Sequence, residues 1–221
     1  MKRLRCIKQW RAENPMPSPT SDQSRRFRLS PLTRQVLLYV LFMLPAVSYL
    51  AGAFSGDLGP NPFKTCLHEF GRYAFRFLLV SLMISPLKRF LKIDLMVYRR
   101  PLGLLAFSYA ALHVTLYFWW ARGFDIQRIW KDFLTRPFLT FGLIAFSILV
   151  VLAATSTRKS IIRLGKKWAR LHRLVYVAMV LACIHYAIAF KQWYIEPFVY
   201  AAVAACVLGL RFVPKPGLKK S

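Results

Sequence analysis

The chain has 221 residues, 57% of them hydrophobic and 15% aromatic, with a mean hydropathy of +0.39. Soluble domains are roughly 45–50% apolar, so this composition excludes an ordinary water-soluble globule. The net charge of +25 first suggests nucleic acid. The basic residues, however, lie between and outside apolar blocks and form no single stripe, which excludes a nucleic-acid surface and matches positive loops beside membrane helices.

In chain order, residues 1–32 read as a basic tail. "ENPMPSPTSDQSRRFR" is rich in Pro, Ser and charge and cannot bury a core of its own. "SRRFRL" approximates a twin-arginine export signal, but its spacing is imperfect and no small-residue cleavage site follows the next apolar run. The tail is therefore expected to stay in the cytoplasm. Six apolar segments follow, near residues 36–54, 66–87, 101–120, 137–155, 168–190 and 197–213. They predict an all-α integral membrane bundle of six transmembrane helices over residues 33–213, with a short basic tail at 214–221. "SGDLGPNPF" is a turn between the first two. Pro101, Pro137 and Pro197 each open a segment, where a missing backbone N–H does no harm. No internal repeat is evident.

Lys and Arg set the expected topology. Of the 33, twenty-five fall in the 1–34 tail, the 88–100 and 156–173 loops and the 211–221 tail, and six fall in the loops on the other face. The positive-inside rule then puts both termini in the cytoplasm. The remaining two, Arg72 and Arg76, lie inside the second segment. The 4 Cys (Cys6, Cys66, Cys183 and Cys206) form no CxxC or CxxCH, so zinc and covalent c-type haem signatures are absent. Cys183 and Cys206 read as small buried side chains.

Ionisable groups inside a bilayer are costly and point to function. His113 and His185 lie thirteen residues past Arg100 and twelve past Arg173, the basic residues that mark each cytoplasmic edge. At 1.5 Å per residue both imidazoles sit about 18–20 Å in, at one depth on parallel helices. Such a pair can take both axial positions of a haem. The plainer alternative is that each histidine only hydrogen-bonds a carbonyl or a neighbouring side chain. His68, Arg72 and Arg76 recur every fourth residue on one helical face, and Arg72 and Arg76 there suit haem propionates. His172 lies about 20 Å below His185 on the same helix, the spacing for a second haem. The matching position in the third segment is Arg100, so His172 has no histidine partner there.

At these residues the sequence resembles the MsrQ (YedZ) family, within the ferric-reductase-like transmembrane group. The resemblance spans roughly residues 33–212. It rests on "HEFGRYAFRFLLVSLMISPL", "RRPLGLLAFSYAALHVTLY", "FLTRPFLTFGLIAF", "LAATSTRKSIIRLGKKWARLHRLVYVAMVLACIHY" and the six-segment pattern. It implies a b-type cytochrome of the bacterial inner membrane, with His113, His172 and His185 as haem-linked residues. It implies FMN as well, which no motif places. The implied partner is a periplasmic molybdopterin-dependent methionine sulfoxide reductase catalytic subunit, which would repair oxidised proteins.

After the sixth segment only "RFVPKPGLKKS" follows, without GxGxxG, so electrons are expected from quinol or a separate flavin reductase. The chain itself carries no nucleophile–base pair and is expected to do no substrate chemistry. The outer loop "ARGFDIQRIWKDFLTRP" is the longest candidate docking surface. Two other classes remain open at this point: a small proton-coupled transporter, and a cofactor-free assembly or anchoring subunit.

Overall fold

The computed structural model describes residues 30–189, 195–211 and 213. The expected tails lie outside the described residues, save for residues 30–32. The chain divides into two units, residues 1–36 and 37–221. Among the described residues it is helical and has no strand. In order the helices are α1 Pro31–Ser55, α2 Pro62–Pro86, α3 Met96–Leu116, α4 Ile126–Thr135, α5 Pro137–Ala154, α6 Arg158–Leu164, α7 Lys166–Leu171, α8 Leu174–Ala189 and α9 Ile195–Gly209. Five-residue π turns at Leu87–Leu91 and Tyr117–Ala121 extend α2 and α3.

Four stretches are long and apolar enough to cross a membrane: Thr33–Ser55, Met96–Ala121, Pro137–Ala154 and Lys166–Ala189. The chain is a multi-pass membrane protein. α2 has 25 residues, about 37 Å at 1.5 Å per residue, so its length would suffice. Its His68, Glu69, Arg72 and Arg76 take it out of the apolar class. α9 is apolar but has 15 residues. Val40, Leu41, Leu44 and Val47 of α1 are each more than half exposed, at 57%, 60%, 55% and 62%. An outer surface of this kind suits lipid and would be an aggregation hazard in water.

Three sequence expectations change. Pro101 does not open its helix: α3 starts at Met96, and Pro101 is buried in its second turn. The starting signal is Asp94, whose carboxylate accepts from the Met96 N–H at 3.2 Å, a local turn that a short acidic side chain makes readily. The segment near 168–190 is not one helix but breaks at His172–Arg173, between α7 and α8. Cys206 is exposed rather than buried, whereas Cys66 is buried.

The core lies where α1, α2, α3, α5, α8 and α9 meet, and its largest fully buried side chains include Tyr109, Phe70, Leu82, Leu105 and Met179. Tyr109 stacks on Tyr73 with ring centroids 5.2 Å apart and meets Phe70 at 6.0 Å. Its hydroxyl donates to the Phe42 carbonyl at 2.7 Å, which ties α3 to α1. Tyr109→Phe leaves that carbonyl without its side-chain donor and should destabilise the fold by about 1–2 kcal/mol. Thermal unfolding in detergent measures it, and an unchanged midpoint would assign the tie no weight.

Candidate functional site

α2 packs chiefly on α3, and α5 on α8. Each pair holds one histidine in the same way. The His113 ring nitrogen Nδ1 lies 2.7 Å from the Leu67 carbonyl of α2. His185 Nδ1 lies 2.8 Å from the Phe138 carbonyl of α5. A carbonyl only accepts, so Nδ1 carries the proton in both rings and each Nε2 keeps its lone pair. The sequence separations are 46 and 47 residues. This local correspondence between two helix pairs was invisible as a repeat in the sequence, because the residues around it differ.

Four residues after each carbonyl stands a glycine, Gly71 after Leu67 and Gly142 after Phe138. In an α-helix the Cβ of residue i+4 points back over the carbonyl of residue i, so glycine leaves that oxygen open to the side. A Cβ on Gly71 would meet His113 Nδ1 at 3.1 Å, and one on Gly142 would meet His185 Nδ1 at 2.6 Å. Neither glycine was singled out from the sequence. The available signal was their near-equal distance from the two histidines.

The His113 and His185 ring centroids are 6.2 Å apart and their planes are inclined at 86°. Both rings border a cavity of about 430 Å³, which Phe75, Leu78, Phe146 and Leu149 help to line. Among the described residues no three His, Cys, Asp or Glu side chains gather as a metal-binding group. An ion held here by two imidazoles therefore needs its other ligands from elsewhere, as in a macrocycle.

The remaining expected site residues separate. His68 and Arg72 line this cavity, but Arg76 does not. Arg76 Nε donates to the Tyr200 hydroxyl at 2.8 Å, and its guanidinium lies 3.4 Å from Glu196. Arg72 pairs with Glu69 and, at 3.4 Å, with Glu196. Glu196, at the start of α9, thus joins both arginines. It went unremarked in the sequence, although an acidic residue at the mouth of an apolar segment stands out in a chain with 8 Asp and Glu.

His172 lines a separate cavity of about 410 Å³, with Arg99, Arg100 and Arg173. Its ring stacks on Trp168 at 4.0 Å between centroids, and Nε2 lies 3.2 Å from the Thr155 hydroxyl.

The expected outer loop is largely helix α4. Asp125 caps it by accepting from the Arg128 N–H at 3.1 Å. Ile126, Trp130 and Leu134, one turn apart, are exposed at 79%, 66% and 70%. Asp132 faces the other way and is buried. Its carboxylate accepts from the Tyr117 hydroxyl at 2.7 Å and from Arg122, and Arg136 Nε lies 3.5 Å away. Burial opposes the charged carboxylate, but the Tyr117 hydrogen bond and the two guanidiniums outweigh it and hold the group below its ordinary value of 3.8. Fewer protons are then bound in the folded state than in the unfolded one. The resulting stability is fully present above pH 3.8 and is lost as the pH falls through the lower folded value. Below pH 3.8 α4 should loosen, read as increased hydrogen exchange over residues 122–136. Asp132→Asn should abolish that pH dependence, and a persisting acid step would assign it to another group.

Two imidazoles thus border one largely apolar cavity between the helices of a multi-pass membrane protein. The family of ferric reductase like transmembrane components matches residues 70–183, which include α3 and α5 whole and most of α2 and α8. Curated relatives in Brucella ovis, Brucella suis biovar 1 and Brucella melitensis biotype 2 carry the name "protein-methionine-sulfoxide reductase heme-binding subunit MsrQ". Each is 43% identical over 173 residues, which is 78% of this chain and 78% of the relative. The chain belongs to the MsrQ family.

Proposed function

We propose that the chain is a haem-binding membrane subunit that passes electrons to a methionine sulfoxide reductase catalytic subunit. The observation that carries this reading is the imidazole pair. A metal–imidazole bond is about 2.0–2.1 Å and the ring centre lies about 1.1 Å beyond the nitrogen, so two axial imidazoles on one ion put their centres about 6.2–6.4 Å apart. The His113–His185 separation of 6.2 Å meets that requirement. Both Nδ1 protons are already given to carbonyls, the outer-shell arrangement that fixes a ligating imidazole. The cavity volume of about 430 Å³ falls within the roughly 300–1,000 Å³ of cofactor sites.

In this reading His113 and His185 hold a b-type haem, which supplies a one-electron couple. The two backbone carbonyls orient the imidazoles, and the apolar walls keep water from the metal. His68 and Arg72 border the same cavity. His172, with Arg99, Arg100 and Arg173 beside it, marks the second cavity as the place where electrons enter, from quinol or from a separate flavin reductase. Any FMN, and any second haem ligated through His172, belongs on that side.

In this reading the chain crosses the bacterial inner membrane six times, and the Lys and Arg distribution supports an orientation with both termini in the cytoplasm. The haem site then faces the periplasm, and a molybdopterin-dependent catalytic subunit there is the acceptor. Absorption spectra of the detergent-purified protein, oxidised and then reduced, test the reading with haem counted per chain. A Soret band with sharp reduced α and β bands is expected. A colourless protein, expressed with ample haem, would overturn it and favour a transporter.

A further inference from the structure

We propose that Arg122 and Arg136, aimed by Asp132, form a carboxylate-binding pair for the haem propionates at the end of the cavity nearest the α3 C-terminus. The proposal rests on the haem reading above.

Among the described residues Asp132 is the one buried carboxylate, at 8% exposure. Taking a carboxylate out of water is costly unless it is paired. Here the partners are unequal in number: one carboxylate meets Tyr117 and two guanidiniums. The cluster therefore keeps one positive charge in excess.

Each arginine reaches Asp132 through Nε. Arg122 Nη1 also donates to the Ala121 carbonyl at 3.2 Å. Arg122 is also in hydrogen-bond reach of the Tyr117 hydroxyl, whereas both terminal nitrogens of Arg136 have no protein acceptor among the described residues. A guanidinium carries five N–H donors in a rigid fork, so fixing Nε leaves the terminal donors for a second acceptor. Both side chains line the cavity that His113 and His185 border. A ligand with carboxylates and a planar apolar body would meet apolar walls, two imidazoles and these unspent donors together.

The other arginines near this site are already engaged. Arg72 is met by Glu69 and Glu196, and Arg76 by Tyr200 and Glu196. Asp132 touches no ligand in this scheme. It is a positioning residue, which brings Arg136 at the end of α4 and Arg122 after the π turn to one point.

The test compares two probes that differ only in their carboxylates. Full-length protein produced in a haem-deficient host is placed in nanodiscs and titrated with haem and with haem dimethyl ester. The wild type should bind the free acid at least about tenfold more tightly, since charge-assisted hydrogen bonds to carboxylate are worth more than neutral ones. Arg122→Gln and Arg136→Gln should each narrow that ratio several-fold while the ester's affinity stays the same. Asp132→Asn should narrow it too, and Asp132→Glu should restore part of it. If Asp132→Asn fails to fold, Arg136→Gln still decides, because that side chain is 52% exposed.

A full ratio in both arginine variants would overturn the proposal, as would its collapse in Arg76→Gln. Equal binding of acid and ester by the wild type would overturn it and leave the haem assignment standing. Binding of neither probe by the wild type would overturn the haem assignment itself.

Discussion

Alanine at His113 or at His185 should each remove haem from the purified protein. The expected loss of affinity exceeds about 100-fold, because even the outer-shell partners of a ligating histidine are worth about 10–100-fold. The two variants should fail alike, since each ring supplies one side of the same pair and lies 6.2 Å from the other. His172→Ala should leave the spectrum of that haem in place, because His172 lines the other cavity. Haem content per chain and the reduced α band read both effects. Full haem in His113→Ala and His185→Ala would sink the ligand assignment and leave the two hydrogen bonds as simple packing.

Gly142→Ala should come close to matching a ligand deletion, although it adds one methyl group and removes nothing. The new Cβ would stand 2.6 Å from His185 Nδ1 and 2.8 Å from Cε1, closer than carbon atoms pack. The ring cannot simply swing away, because Nδ1 is held on the Phe138 carbonyl at 2.8 Å. Either that hydrogen bond breaks or α5 and α8 separate, and overpacking of this kind costs about 1–3 kcal/mol. The expected result is a haem affinity lowered by about 10–100-fold, with loss of the low-spin spectrum.

Gly71→Ala should be milder. Its Cβ would meet His113 Nδ1 at 3.1 Å, where a shift of a few tenths of an ångström relieves the contact. Gly103→Ala supplies the control, because nothing lies within 4 Å of its added Cβ and alanine is the better helix former. A wild-type spectrum in Gly142→Ala would show that the helices yield freely at this point, and that the glycine is not what seats His185.

Much of the architecture was legible in the sequence because a bilayer is a simple solvent. Within it a segment must satisfy its own backbone hydrogen bonds and present an apolar surface. Composition and length therefore located α1, α2, α3, α5 and α9 to within several residues, and α7 with α8 as one segment. Histidines in such segments stand out by cost alone, which singled out His113 and His185 before any contact was known. Their equal depth followed from helical rise.

Which groups those side chains meet was decided by helix packing, which no periodicity encodes. Arg72 and Arg76 share a helical face in the sequence, yet α9 brings Glu196 and Tyr200 against them and draws Arg76 away from the cavity. α4 was read as a loop because apolar and polar residues balance over so short a stretch, which leaves no apolar run. Its burial of Asp132 against Tyr117 and Arg122 depends on the turn that ends α3. Gly71 and Gly142 look like ordinary helix glycines until the neighbouring helix lays an imidazole across each. Hydrophobicity and helical geometry are local properties and can be read along the chain. The partners of a buried charge, and the few positions where only a hydrogen atom fits, arise between helices far apart in sequence.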